Sequence, residues 1–156
     1  MGVGISLMST EEMSRREIDT FLESVGVGVL ALTDGAEAYA IPESFGYDGE
    51  DVYFQFVHHE DSHKMRLIET TETATFTVYA ENVARSVLVR GTLEPVPVEN
   101  ELQATNAIAE NATIPTLNVD PTLSLEKLSF DFYRLVPAEL SGRTFGVDAA
   151  SGCVSS

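Results

Sequence analysis

The sequence predicts a mainly β chain with short helices, folded as an antiparallel barrel of six strands. Three observations carry this reading. Apolar residues alternate in short β-branched and aromatic runs, tight-turn signals separate the runs, and the helical stretches are too short and too few for βαβ units. With 156 residues and an apolar fraction of 44%, the chain suits one domain with a real core.

The elements follow in order. Ser9 or Thr10 can cap a first helix reaching Ser24, although Ser14 and Glu17 offer a capping box further in. Ile18, Phe21 and Leu22 give it an apolar stripe. Val27 to Thr33 alternates as a first strand, and Asp34-Gly35 is a hairpin signal. A second strand runs from Ala38 to Tyr47, marked by Pro42, and Asp48-Gly49 turns the chain into a third at Asp51 to Val57. Phe45, Tyr47, Tyr53, Phe54 and Phe56 alternate along these strands, a pattern of core packing. A polar loop leads into a short helix from Ser62 to Thr70. Strands at Thr73 to Tyr79 and Ser86 to Val98 follow, the latter with Gly91 as a bulge or close-approach site. Glu99 to Asn111 has helical composition, 112–127 reads as loop with a helical turn, and Phe130 to Ser141 is the closing strand. Residues 1–145 thus form one domain and 146–156 a flexible tail.

Charge narrows the partners. Twenty-five acidic residues against nine basic ones leave −16, a field that repels nucleic acid and anionic membranes. The same excess suits a protein working in high salt, where screening blunts self-repulsion. No apolar run is long enough for a transmembrane helix, and MGVGISLMSTEE lacks the basic and apolar regions of a secretory signal, so a cytoplasmic location is expected. Cys153 is the only cysteine and has no internal disulfide partner. Neither a phosphate-loop nor a glycine-rich dinucleotide fingerprint occurs.

The chemistry concentrates after the third strand. Only Lys64 and Lys127 are lysines, and Lys64 falls at a helix start, where dipole energetics favour an acid. A bound anion explains the exception. First-turn N–H groups lack internal acceptors, Ser62 adds a hydroxyl, His63 an imidazole donor and Lys64 an ammonium. A plain N-cap beside a solvated lysine is the competing explanation. His58, His59 and His63 are the only histidines, but their spacing matches no zinc signature, and no metal site is expected. Nor is there a hydrolytic triad with usable context. Arg85 and Arg90 are expected to pair with the abundant carboxylates, and Arg134 and Arg143 to be structural.

Several segments, in order, resemble the pyridoxamine-phosphate-oxidase-like family of FMN-binding split barrels: GVLALTDG, AYAIPESFGYDGEDVYFQF, SHKM, RSVLVRG and RLVP. The likeness runs from Gly28 to Pro137. It implies a Greek-key split barrel that binds FMN at the seam of a homodimer. Carried over residue by residue, Ile41, Pro42, Glu43 and Ser44 line the flavin. Val57 and His58 hold its phosphate side, Ser62, His63 and Lys64 grip the phosphate, and Ser86 reaches the flavin of the partner subunit. An FMN-dependent oxidoreductase acting on a small organic molecule, with NAD(P)H as a possible reductant, is the activity implied. GVLAL and SFGYDG are similar to nitroimidazole-resistance reductases, and the acidity resembles haloarchaeal proteins. A non-catalytic flavin binder and deazaflavin- or haem-binding members of the same fold are the alternatives. His63 stands where the oxidase has arginine, which puts a fixed bidentate phosphate contact in doubt. FYRLVPAELSGRTFGVD lacks the oxidase's arginine-and-histidine substrate motif, so authentic pyridoxamine phosphate oxidase activity is not expected.

Overall fold

The computed structural model describes residues 10–111 and 128–146. The expected loop at 112–127, Cys153 and the tail beyond Gly146 lie outside these residues. Among the described residues eight strands form a single antiparallel sheet: β1 (Thr10–Glu12), β2 (Val27–Thr33), β3 (Ala38–Ser44), β4 (Gly46–Tyr47), β5 (Val52–His59), β6 (Ala74–Ala80), β7 (Arg85–Pro95) and β8 (Leu128–Phe145). Helices α1 (Arg15–Ser24), α2 (His63–Thr70) and α3 (Glu101–Asn111) pack around it.

The sheet order is β3-β2-β6-β7-β8-β5-β4, with β1 added to the far end of β8. β3 and β4 stand at opposite ends of that order, yet only Phe45 separates them in the chain. The sheet must therefore curl until its ends meet. No ladder joins β3 to β4, so the result is an open barrel split along this seam. This corrects the expected six-stranded Greek-key barrel in strand count and closure. One additional strand arises because Ser14, not Ser9 or Thr10, caps α1: its Oγ accepts from Glu17 N, and Ser14 N donates to Glu17 Oε1. Thr10–Glu12 is left extended and pairs with Arg143–Phe145. The other arises because Phe45 breaks the second strand into β3 and β4.

Phe45 is wholly buried and meets Phe76 edge-on at 5.0 Å; Phe76 meets Phe54 likewise, and Phe54 stacks on Phe56. The alternating aromatics are thus core residues, as expected. The seam's backbone is held as firmly as its ring. Phe45 N donates to Gly26 O, and the buried Asn111 at the end of α3 donates through Nδ2 to both Phe45 O and Val25 O, each at 3.0 Å. Gly46 allows this approach, since a Cβ there would lie 2.4 Å from the Ala107 and Ile108 backbone. A second helix is tied to the same region, because Tyr47 donates its hydroxyl to Asp19 of α1.

β8, with 18 residues, is the long closing strand, pairing with β5 through its first half and β7 through its second. The β7–β8 register slips at Arg90/Gly91, where a Cβ on Gly91 would sit 1.9 Å from Val136 O. The glycine is required at this bulge, as its sequence context indicated.

Removing Asn111's side-chain amide strands the buried Phe45 carbonyl and the part-buried Val25 carbonyl at the seam, at about 1–3 kcal/mol for a fully buried unsatisfied group. Asn111→Ala is expected to lower the midpoint of urea unfolding markedly while leaving the far-UV circular dichroism of the folded state unchanged.

Candidate functional site

α2 begins where β5 ends. Asp61 makes the turn with φ of 68°, an unusual left-handed conformation for a non-glycine residue, and Arg66 donates to its carbonyl. Ser62 then caps the helix, its Oγ accepting from Met65 N. Leu67 and Ile68 bury the inner side of α2 in the barrel core. In the first turn, Lys64 reaches Glu43 of β3, and His63 reaches Glu37 before β3 and Tyr39 on it.

Lys64 Nζ lies 3.3 Å from Glu43 Oε2 and 5.0 Å from the centre of the Phe56 ring. Both partners are withdrawn from water, with side chains 13% and 7% exposed. Burial pushes the Glu43 carboxyl above the usual carboxylate range, and the Lys64 ammonium only partly offsets it. The lysine is therefore not a solvated side chain on a plain N-capped helix. Glu43 likewise forms a salt bridge, in a buried setting.

His63 is more exposed. Its Nε2 contacts Glu37 Oε1 at 2.7 Å, and its ring meets Tyr39 edge-on at 4.9 Å. His58, at the end of β5, is half-buried and contacts Asp131 of β8 at 2.6 Å, whereas Val57 before it is buried opposite Phe130. An open cleft of about 510 Å³ lies beside the β5–α2 loop, lined among others by His58, Asp61, Ser62, Met65 and Ser129. His63 and Lys64 do not line it.

Lys64 thus meets Glu43 near the end of β3, His63 meets Glu37 just before β3 and Tyr39 near its start, and Ser62 caps α2. Ile41 packs against the core, Pro42 is exposed opposite Val29, and Ser44 is buried opposite Val27. Ser86 lies elsewhere, on β7 between Tyr79 of β6 and Arg143 of β8. Sequence reasoning missed Glu37, Tyr39 and Asp131 as neighbours of the histidines; strand register sets those contacts, and no local motif signals them. Arg90 pairs with Glu139, Arg134 with Glu94 and Arg143 with Glu12, as the acidic composition suggested. Arg85 departs from that expectation by lying over the Phe21 ring. Among the described residues no cluster of three His, Cys, Asp or Glu side chains could hold a metal ion, and no helix is long and apolar enough to cross a membrane.

The family model for pyridoxamine 5'-phosphate oxidase matches residues 14–144. The chain belongs to the pyridoxamine 5'-phosphate oxidase family. Its fold is shared with a candidate 5-nitroimidazole antibiotic resistance protein from Bacteroides thetaiotaomicron (TM-score 0.67, 16% identity, 89% of each chain). An FAD-binding protein from Mesorhizobium loti is similar at TM-score 0.69 and 18% identity over 90% of this chain and 99% of that one. An FAD- and heme-binding protein from Mycobacterium smegmatis gives TM-score 0.62 and 17% identity over 96% and 80%. At these identities the likeness establishes the fold. No curated protein matches the sequence.

Membership of a flavin-binding family raises the question of whether the α2 group suits a flavin phosphate. The donor chemistry does. Lys64 Nζ carries three protons and Glu43 takes one of them, the Ser62 hydroxyl retains a proton to donate, and the first-turn N–H groups lack helical acceptors, Met65's being taken by Ser62 Oγ. Glu37 and Glu43 oppose an anion, so the cradle fits a phosphate only with rearrangement around these carboxylates.

Because folding raises the Glu43 carboxyl, the folded state holds its proton more tightly than the unfolded chain does. That stabilising contribution is complete below the ordinary glutamate range and is lost as pH rises through the raised one. Urea unfolding across this interval is expected to show wild-type stability falling relative to Glu43→Gln as pH increases. Parallel curves would contradict the assignment.

Proposed function

We propose that the protein binds FMN between α2 and β3 and acts as an FMN-dependent oxidoreductase on a small organic molecule. The observation that carries this reading is the start of α2, where Ser62, His63 and Lys64 follow one another in a chain with only two lysines. Ser62 and the first-turn N–H groups supply directional donors, and Lys64 supplies charge from a largely dry position. Ile41 and Pro42 continue the site along β3, and Val57 and His58 border it from β5. A bound flavin supplies hydride transfer, while the protein supplies placement. NAD(P)H is a suitable reductant, and nitro-group or flavin reduction are the subclasses favoured by the resemblance of the GVLAL and SFGYDG strands.

A homodimer completes the site in this reading. The outward face of β3, β2, β6 and β7 presents Pro42, Val29, Ala31, Thr77 and Leu88, and the one acid among its described outward positions, Glu94, is paired with Arg134. In a chain of net charge −16, a second copy can approach with least repulsion across such a face. Ser86 lies on this face and is proposed to reach the partner's cofactor.

A second reading is favoured by the FAD-binding protein from Mesorhizobium loti and the FAD- and heme-binding protein from Mycobacterium smegmatis. A flavin dinucleotide would place one of its phosphates on the same cradle. Mass analysis of the released cofactor separates the two.

Lys64→Ala, assayed above about 1 M salt so that only close contacts count, is expected to weaken FMN binding at least about tenfold, or about 1.4 kcal/mol. Fluorescence titration of FMN reads this directly, and unchanged affinity in a folded protein would contradict the proposal.

A further inference from the structure

The Lys64–Glu43 pair places an ammonium and a carboxylate on the same spot that the flavin-phosphate reading assigns to an anion. The geometry leaves Glu43 little alternative company. On α2, His63 is engaged by Glu37 and Arg66 by the Asp61 carbonyl. Across β3, Glu43 sits opposite Gly28 of β2, whose neighbour from β6 is the Phe76 ring. From β5 the nearby group is Phe56, beneath Lys64. Among the described residues, Lys64 is the one charged group that acts appreciably on the Glu43 carboxyl.

A phosphate monoester is largely dianionic near neutral pH and draws strongly on an ammonium. If Lys64 turns to it, Glu43 is left as a buried carboxylate without a counter-ion and beside new negative charge. Both changes disfavour its ionised form.

We propose that Glu43 is a proton-linked competitor for Lys64, so that a flavin phosphate takes over the ammonium only as Glu43 takes up a proton from solvent. The inference rests on the flavin-phosphate reading above and adds to it a pH response and a selectivity. The only covalent change is O–H formation on the Glu43 carboxylate, with solvent or buffer giving up the proton. Binding of phosphorylated flavin tightens as pH falls. Binding of riboflavin, which leaves Lys64 on Glu43, does not.

The sign follows from linkage. Engagement of Lys64 raises the Glu43 carboxyl above its already elevated position in the free protein. Between the two positions each bound phosphate is accompanied by a proton, so FMN affinity falls by about tenfold per pH unit as pH increases.

Isothermal titration calorimetry of the full chain tests this, with FMN and with riboflavin, in two phosphate-free buffers of different ionisation enthalpy. In the wild-type protein FMN is expected to take up roughly one proton per site within that interval, and riboflavin none. Glu43→Gln is expected to abolish the uptake and to bind FMN at least about tenfold more tightly near the alkaline end. Glu43→Asp, which keeps a carboxylate, should retain the uptake, and thermal unfolding establishes that each variant is folded. Uptake persisting in Glu43→Gln would put the proton on the phosphate and overturn the proposal. FMN binding by wild type without uptake would overturn this inference alone. Absence of FMN binding in every form would overturn the flavin reading and this inference together.

Discussion

The structure turns on the seam at Phe45. Two strands adjacent in the chain occupy opposite ends of one sheet, and a single residue connects them. That connection can exist only if the intervening strands curl, which sheet twist favours and the continuous bonding of β8 to β5 and β7 permits. Phe45 secures the seam with each of its parts: the ring enters the aromatic core, the N–H binds Gly26, and the carbonyl accepts from Asn111. The buried hydrogen bonds matter because an unsatisfied carbonyl at this depth has no water to turn to.

The site inherits its geometry from that seam. Glu43 lies two residues before Phe45, at the end of β3, and α2 covers the same end of the barrel through Leu67 and Ile68. An extended strand end therefore faces the first turn of a helix, and the two meet in the Lys64–Glu43 pair. An isolated phosphate cradle would carry surplus positive charge. Here Glu43 faces Lys64 and Glu37 faces His63, which gives the site a built-in opposition to anions. This tension would distinguish the proposed cradle from a helix start furnished with arginine.

Much of the fold was legible because its signals are local. Asp34-Gly35 and Asp48-Gly49 mark hairpin turns, alternating apolar residues mark β2 and β5, and Gly91 marks the bulge. The strand missed, β1, has only three residues, whereas β4 was read as the end of the second strand and only the break at Phe45 was missed. β1 is too short to show a period and owes its conformation to a distant partner, while β4 pairs with β5 across the next turn. The capping box of Ser14 and Glu17 was visible, but choosing it over Ser9 or Thr10 required knowing that Arg143–Phe145 would receive the residues before it. The same distinction applies to the site. Ser62, His63 and Lys64 stand out by position, whereas Glu37, Tyr39 and Asp131 become neighbours only once the register is set. The burial of Glu43 was also hidden, since a lone acid in a strand ordinarily faces solvent.

A crystal structure of the protein with FMN tests the central claim most directly. The account predicts phosphate oxygens within about 3.2 Å of the Ser62 hydroxyl and Lys64 Nζ, with the α2 first-turn N–H groups directed at them and Lys64 drawn away from Glu43. A flavin phosphate lying elsewhere, with Lys64 still on Glu43, would contradict it.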